Sequence, residues 1–260
     1  MKGQPCRIVF PRVSDALDQD EEWIFVERGG RMQKIRLHNY GDIYRIPGLY
    51  EELFYKKLGC DSPNVVCGLL DRAMKRHGGP DSLRALDFGA GNGMVSEKLS
   101  ELRHCEFLVG IDILKEAKEA AERDRPGLYD HYWVMDLARL DEFNRKRLQS
   151  YRFNTLVTVA ALGFNDIPTR AFLNAFNLVP KGSWIAFNIR DKFLREDDRS
   201  GYRNALDRLQ DSCFQILEQT DYCHRRSITG RKLCYRAIVG QKTAEADIED
   251  LFEKRCVRST

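Results

Sequence analysis

Apolar runs alternate with charged, amphipathic runs along residues 84–189, and this alternation limits the possible folds more than any other feature of the sequence. The apolar runs predict strands and the amphipathic runs predict helices. The predicted strands cover 84–88, 106–111, 132–135, 156–161 and 183–189, and the predicted helices cover 93–102, 114–123, 141–149 and 169–178. Strands that alternate with helices in this way form a mostly parallel sheet with helices on both faces.

The chain beyond residue 200 follows a different pattern. A helix is predicted over 202–210, and two β-rich segments follow at 214–222 and 232–239, joined by a short link that contains Gly230. We expect these segments to add an antiparallel pair to the sheet. The predicted fold class is therefore α/β: a Rossmann-like seven-stranded, mostly parallel sheet with a C-terminal antiparallel strand pair and helices on both faces.

The residues before this core are predicted to begin with a separate N-terminal extension. Apolar segments flank Gly29-Gly30, which predicts a β-hairpin with a glycine turn. A helical segment is expected over 48–58. Ser62 is expected to cap a second helix, with Pro63 at its first position and Gly78-Gly79-Pro80 at its end. We predict three regions: an N-terminal hairpin extension over 1–40, the main domain over 41–242, and a C-terminal helix and tail over 243–260, with the helix at 244–254.

Composition excludes several classes of protein. A chain of 260 residues with 43% hydrophobic content can bury one sizeable core. The formal net charge of +3 is too small to indicate a concentrated basic face, so we expect no nucleic-acid partner. No apolar run approaches the roughly 20 residues that span a bilayer, and the N-terminus lacks a signal-peptide pattern. We therefore expect a cytoplasmic protein that makes no membrane contact.

Cysteine spacing points away from metal and disulfide chemistry. The eight cysteines form no CxxC pair, and only five histidines accompany them. Structural zinc sites need such pairs, and disulfide frameworks belong to small secreted chains. We expect no metal site.

A glycine-rich turn after the first core strand is the main functional signal. Residues 85–93 read ALDFGAGNG, which places glycines at 89, 91 and 93. Glycine lets the chain turn tightly and lets a ligand approach the backbone, while the following helix directs its free N–H groups to the same place. The candidate ligand-binding residues of this turn are Asp87, Gly89, Ala90, Gly91, Asn92 and Gly93.

The spacing within the turn separates two kinds of nucleotide. In the dinucleotide pattern GxGxxG the third glycine would fall on Met94. Asp87 stands two residues before the first glycine, where a carboxylate would repel a pyrophosphate but would favour a ligand with a cationic amino group and a sulfonium.

Two further strands end in an acidic residue. Asp112 ends the second strand, and its two oxygens can accept both hydroxyls of a ribose. Dinucleotide enzymes use a carboxylate in the same way, so Asp112 predicts a ribose without naming the cofactor. Asp136 ends the third strand. An isolated aspartate there is often a helix cap or turn former, but three acidic strand ends together with GxGxG form a stronger signal.

Together these residues resemble motif I and the strand ends of class I S-adenosylmethionine-dependent methyltransferases of the small-molecule type. The resemblance covers roughly residues 40–239. Pro180-Lys181-Gly182 resembles the family's Pro-Gly-Gly turn before strand five, with Lys181 in place of a glycine, and Asn154 departs from the acidic residue often found at the start of strand four.

The resemblance implies S-adenosylmethionine as cofactor and S-adenosylhomocysteine as product. It implies that Asp136 accepts the adenine amino group and that the backbone of Leu137 faces the ring. Ile113 and Ala160 complete the implied cofactor-binding set. Methyl transfer is an in-line displacement, in which alignment supplies much of the acceleration and a general base is needed only if the acceptor carries a proton.

Residues on the acceptor side are less defined by the sequence. Tyr40 and Tyr44 resemble a tyrosine-rich lid over the cofactor, with aromatic packing against the core as the alternative. His38 is a candidate base, with a structural, hydrogen-bonded histidine as the alternative. Asp166 follows the fourth strand, where an acceptor pocket usually opens, but it can instead cap the next helix. The acceptor, the catalytic residue and the oligomeric state stay open.

The fourth strand is followed by Ala161-Leu162-Gly163-Phe164, which matches neither the [D/N]-P-P-[Y/F] motif of amino-methylating DNA enzymes nor the paired-glutamate loop of arginine methyltransferases. A small-molecule acceptor is therefore favoured. Two alternatives remain: a non-catalytic S-adenosylmethionine-binding sensor or partner domain, and a nicotinamide-dependent oxidoreductase, which the GxGxG spacing and Asp87 disfavour.

Overall fold

A computed structural model describes residues 6–14, 17–163, 166–197 and 199–249. The strands are β1 (Arg7–Val9), β2 (Trp23–Arg28), β3 (Arg31–Arg36), β4 (Leu83–Phe88), β5 (Cys105–Asp112), β6 (His131–Val134), β7 (Thr155–Leu162), β8 (Trp184–Arg190), β9 (Phe214–Arg226) and β10 (Lys232–Lys242). The α-helices are α1 (Tyr40–Arg45), α2 (Ser62–His77), α3 (Met94–Leu102), α4 (Lys115–Asp124), α5 (Glu142–Gln149), α6 (Thr169–Leu178) and α7 (Tyr202–Ser212).

Seven strands form the main sheet, in the order β6-β5-β4-β7-β8-β10-β9. The first five in this order run parallel, and β10 lies antiparallel between β8 and β9. Helices cover both faces: α2 and α3 pack on one, and α5, α6 and α7 on the other. The predicted fold class is confirmed.

Apolar residues in consecutive positions explain why the central strands are buried on both faces. In β4, Leu86 belongs to the core under α6, whereas the preceding Ala85 belongs to the core under α2. Strands β7 and β8 are buried along most of their length in the same way. A parallel sheet covered by helices requires this continuous hydrophobicity rather than an alternating pattern.

The N-terminal region holds more structure than the predicted hairpin. Strands β2 and β3 pair around the Gly29-Gly30 turn, and β1 adds a third antiparallel strand. The helical segment expected over 48–58 is present at 49–57, with α-helical conformation at Leu49 and Tyr50 and a π-helical stretch at Glu51–Lys57, and α1 precedes it without having been predicted. Pro47 and Gly48 separate the two, since proline disfavours helical geometry in the residue before it.

At the other end, the helix expected over 244–254 is not formed between residues 244 and 247, and helical conformation begins only at Ile248. Residues 250–260 lie outside the described part of the chain. The division into regions at residues 40 and 242 stays a prediction.

Within the described ranges, no helix has both the length and the apolar character needed to cross a membrane. The cytoplasmic location stays a prediction.

Candidate functional site

A cavity of about 350 Å³ opens at the carboxyl ends of the parallel strands. It lies beside β4, which has β5 as its neighbour on one side and β7 on the other. In open α/β sheets this reversal of strand order is the usual ligand site, and the volume lies in the range of small-molecule pockets. The lining residues are His38, Tyr40, Tyr44, Tyr50, Phe88, Gly89, Asp112, Ile113, Leu114, Met135, Asp136, Leu137, Val159, Ala160, Ala161, Asp166, Ile167, Pro168 and Ala171.

The glycines of the turn have different neighbours. Gly89 lines the cavity with a positive φ of 76°. Gly91 lies under Tyr44, because a Cβ at this position would clash with the phenolic oxygen. Gly93 packs instead against the loop after α4, where a Cβ would lie 2.9 Å from Leu128. Of the three glycines, only Gly89 lines the cavity.

Asp112 lies at the cavity wall with both carboxylate oxygens held by the backbone. Oδ2 accepts a hydrogen bond from Gly91 N at 3.0 Å, and Oδ1 accepts one from Leu114 N at 3.0 Å. Burial raises the pKa of Asp112, and the backbone donors oppose that shift. The carboxylate thus connects the glycine turn to the end of β5 at a fixed position.

Asp87 lies beneath the glycine turn and does not line the cavity. Its side chain is fully buried, and Oδ2 accepts hydrogen bonds from Ser96 Oγ and Tyr129 OH, both at 2.8 Å. Among the residues that the structure describes, none donates a hydrogen bond to Oδ1. Burial raises the pKa of Asp87 to about 6, against the lowering effect of Ser96 and Tyr129. The carboxylate of Asp87 therefore lies beneath the glycine turn and is separated from the cavity by it.

Asn92 also lies away from the cavity, in a polar network that joins three elements. Its Nδ2 donates to Glu51 Oε1 at 3.1 Å and to Asp124 Oδ2 at 3.3 Å. Arg125 Nη1 donates to the same Glu51 oxygen at 2.8 Å. Asn92 therefore connects the glycine turn to the π-helical stretch and to α4. Ala90, its neighbour in the turn, is buried and does not line the cavity either.

One end of the cavity is apolar, with a single carboxylate at its edge. Ile113, Met135 and Leu137 line it, and Asp136 accepts a hydrogen bond from Ala138 N at 2.9 Å. Met135 was not predicted as a lining residue, although it directly precedes Asp136, which was. This end combines an apolar lining with a carboxylate acceptor.

Three tyrosines from residues 40–50 line the cavity together and form one wall. The ring centroids of Tyr40 and Tyr44 are 6.3 Å apart, and those of Tyr44 and Tyr50 are 4.9 Å apart. Burial raises the pKa of all three phenols, so each keeps its proton. Tyr50 was not predicted as a lining residue, because its segment showed only a helical pattern.

Ala160 interrupts β7 where the strand meets the cavity. It adopts a positive φ of 59°, and the pairing of β7 with β8 shifts between Thr158 and Leu162. The backbone N–H of Ala160 donates to the side-chain oxygen Oδ1 of Asn188 at 2.6 Å, and not to a backbone carbonyl of a neighbouring strand. Left-handed geometry is unfavourable for a residue with a Cβ and is concentrated at functional sites.

His38 and Asp166 contact each other in the cavity lining although 128 residues separate them. The Nδ1 atom of His38 lies 3.0 Å from Asp166 Oδ2, and the two side chains are 12% and 24% exposed. Both line the cavity. Phe164 and Asn165, which precede Asp166, lie outside the described residues.

Comparison with solved structures shows the same architecture in other proteins. An S-adenosylmethionine-dependent methyltransferase from Clostridium acetobutylicum ATCC 824 aligns with a TM-score of 0.52 at 13% identity, over 75% of this chain and 97% of that one. The strand order of the main sheet and this alignment indicate the same fold. The chain has the fold of the class I S-adenosylmethionine-dependent methyltransferases.

A second methyltransferase structure aligns less well. Magnesium protoporphyrin IX methyltransferase from Synechocystis PCC 6803, with bound S-adenosylmethionine, aligns with a TM-score of 0.48 at 16% identity, over 70% of this chain and 79% of that one. No protein-family model matches the sequence, and no curated protein sequence matches it at a significant level.

Within this methyltransferase fold, the predicted cofactor residues divide into two groups. Those that line the cavity are Gly89, Asp112, Ile113, Asp136, Leu137, Ala160, Tyr40 and Tyr44. Those that lie behind the cavity wall are Asp87, Ala90, Gly91, Asn92 and Gly93. No group of three metal-ligating side chains that could hold an ion occurs among the described residues.

Proposed function

We propose that the protein transfers a methyl group from S-adenosylmethionine to a small-molecule acceptor. The position of Asp112 carries the proposal: its carboxylate lies at the cavity wall, beside the glycine turn, at the reversal of strand order. When bound, the cofactor supplies an activated methyl group on a sulfonium and leaves as S-adenosylhomocysteine.

Asp112 is suited to hold the ribose. An ionised carboxylate has about four acceptor sites, and the amides of Gly91 and Leu114 use two of them. The remaining lone pairs would accept hydrogen bonds from the ribose hydroxyls. Because backbone amides fix the carboxylate, little conformational entropy is lost when the ribose binds.

The apolar end is suited to hold the adenine. Ile113, Met135 and Leu137 give the ring an apolar surface, and Asp136 lies at its edge to accept from the amino group. The methionyl part would then lie along Gly89, above the buried charge of Asp87. Tyr40 and Tyr44 cover this part of the cavity and exclude water from it.

The cavity extends beyond the residues assigned to the cofactor, as far as His38 and Asp166. A polar pair at that end favours an enzyme with an acceptor site over a sensor that only binds the nucleotide.

Calorimetric titration with S-adenosylmethionine, S-adenosylhomocysteine and NADH tests the proposal. We expect both sulfur nucleotides to bind with micromolar affinity and NADH not to bind. Asp112→Asn should weaken binding at least about tenfold, because it removes charge-assisted hydrogen bonds. Asp221→Asn is the matched control, since that carboxylate is exposed and bonds to Arg236 on the terminal strands.

Binding of NADH in preference to the sulfur nucleotides would favour the oxidoreductase alternative. Absence of binding of either sulfur nucleotide to folded protein would refute the proposal.

A further inference from the structure

Strand β7 carries a bulge where it borders the cavity, and a single residue of β8 lies opposite it. The pairing of the two strands is regular up to Thr158 and resumes at Leu162, so the three residues 159–161 face Asn188 alone. All three of these β7 residues line the cavity, whereas consecutive side chains of a regular strand point to opposite faces. Bulges re-aim side chains in this way and are concentrated beside active sites. The bulge therefore forms a stretch of the cavity wall.

Asn188 is a polar residue on an apolar face of β8. Trp184 and Ala186, which precede it at the strand spacing of two residues, belong to the core under α2. Asn188 continues this face and is fully buried. Burial of an amide costs free energy unless its polar atoms have partners. Packing alone therefore does not account for an asparagine at this position.

The side-chain oxygen of Asn188 holds the middle residue of the bulge. Oδ1 accepts a hydrogen bond from the backbone N–H of Ala160, which has the positive φ of 59°. Because a backbone N–H can only donate, this contact orients the amide, with its oxygen toward Ala160 and its nitrogen away. Without this acceptor, the N–H of Ala160 would have to return to strand pairing, since a buried N–H requires a partner. Asn188 thus favours the left-handed conformation of Ala160 over the extended one.

The amide nitrogen of Asn188 is held from the other side by α2 and β9. Nδ2 donates to Ser62 Oγ at 3.1 Å and to the phenolic oxygen of Tyr222 at 2.5 Å. Ser62 Oγ also lies 2.6 Å from His224 Nδ1. Burial and two neighbouring arginines lower the pKa of His224 well below its ordinary value, so the imidazole is neutral and Nδ1 can accept the proton of Ser62. The Asn188 side chain therefore has partners on both sides and a single orientation.

The residue after Ala160 carries the effect of the bulge to the glycine turn. A Cβ added to Gly89 would lie 2.9 Å from the Cβ of Ala161, so Ala161 packs directly on the turn. The methionyl part of the cofactor is proposed to lie along Gly89. A change of Ala160 to the extended conformation would turn Ala161 and move the wall that this part of the cofactor contacts.

We propose that Asn188 is a positioning residue for the cofactor: it accepts from the backbone N–H of Ala160 and so holds the β7 bulge that places Ala161 against Gly89. This inference rests on the proposed binding of S-adenosylmethionine. Asn188 is not among the residues that line the cavity, so its effect reaches the ligand through Ala160 and Ala161.

Calorimetric titration with S-adenosylhomocysteine tests the effect on binding. Asn188→Leu keeps the side-chain volume but removes the acceptor, and it should weaken binding at least about tenfold. Asn188→Asp keeps an oxygen that can accept from Ala160, and its affinity should stay within about threefold of the wild type. Asn177→Leu is the matched control, since Asn177 is buried and bonds to the backbone of Ala246 away from the cavity lining. It should lower the thermal midpoint but leave the affinity unchanged.

The conformation of Ala160 has its own readout, which needs no ligand. The Cβ chemical shift of an alanine differs between left-handed and extended backbone, so NMR of protein labelled at its alanine Cβ atoms follows it, and loss of the signal in Ala160→Gly assigns it. We expect the Ala160 signal to move toward the extended value in Asn188→Leu and to stay in place in the other two variants. If Asn188→Leu does not fold, Asn188→Ser replaces it, because the shorter side chain does not reach the Ala160 amide.

The outcomes separate this inference from the proposed function. If the wild-type protein does not bind S-adenosylhomocysteine, both fail. If it binds, the inference about Asn188 alone is overturned by wild-type affinity in Asn188→Leu or by an Ala160 signal that does not move in that variant. An equal loss of affinity in Asn188→Asp or in Asn177→Leu would overturn it as well.

Discussion

A single carboxylate, Asp87, shows how the site influences the stability of the molecule. It is fully buried, its Oδ1 accepts no hydrogen bond from the described part of the chain, and burial raises its pKa to about 6. A buried carboxylate that is harder to ionise in the folded state than in the unfolded state destabilises the fold at any pH where it is ionised. The charge beneath the glycine turn is thus kept at a cost in stability.

The pH dependence of stability tests this reading of Asp87. Because the folded-state pKa is raised above 3.8 to about 6, the contribution of this group is fully present below pH 4 and is lost as the pH rises through 6. Relative to Asp87→Asn, the wild-type free energy of unfolding should fall by about 2 to 3 kcal/mol between pH 4 and pH 7. Urea unfolding of both proteins measures it, and parallel pH curves would contradict the assignment.

At the scale of elements, one buried ion pair attaches the N-terminal strands to the last hairpin. Glu22, just before β2, accepts from Arg225 Nη2 at 2.7 Å and from Ile228 N at 2.7 Å. The two charged side chains are 1% and 2% exposed. Since an uncompensated buried charge is far more costly than a lost surface pair, this attachment depends on both partners.

Glu22→Gln should therefore lower the free energy of unfolding by about 3 to 5 kcal/mol, because Arg225 would remain charged and buried. Asp221→Asn breaks an exposed pair with Arg236 on β9 and β10 and should cost at most about 1 kcal/mol. Chemical denaturation of the two variants compares them. Similar costs would show that Glu22 does not hold the N-terminal strands in place.

At the scale of the whole molecule, the cavity depends on contacts between distant parts of the chain. Arg45 donates to Glu116 at 2.5 Å, Arg123 donates to the carbonyl of Tyr44 at 3.0 Å, and Arg125 reaches Glu51. All three contacts join the N-terminal segment to α4 or to the residue that follows it. The tyrosine wall is therefore coupled to the cofactor side of the sheet.

Hydrogen exchange with S-adenosylhomocysteine tests this coupling. At a concentration of 100 times Kd, a ligand stabilises the state that binds it by about 2.7 kcal/mol, so amides of residues 40–58 should exchange up to about 100-fold more slowly. The turns at Gly29-Gly30 and Gly230 lie outside the cavity lining and should be unaffected. Protection confined to the strand ends would show that the tyrosine wall does not close on the ligand.

Local patterns explain which parts of the site could be predicted. Asp112 and Asp136 follow apolar strands directly, so the parallel sheet brings them together from sequence order alone. The contact of His38 with Asp166 was not predictable, because each lies in a segment without periodicity. The burial of Asp87 was missed because it depends on Tyr129, which reaches it from the loop after α4.

The ion pair between Glu22 and Arg225 also bears on synthesis. The partners are 203 residues apart, so at about 5 to 20 residues per second the second emerges from the ribosome about 10 to 40 seconds after the first. The apolar residues of β2, such as Ile24 and Val26, can already pack against residues 35–58 in that interval. The carboxylate of Glu22, in contrast, lacks both Arg225 and the amide of Ile228 until the last hairpin has been made.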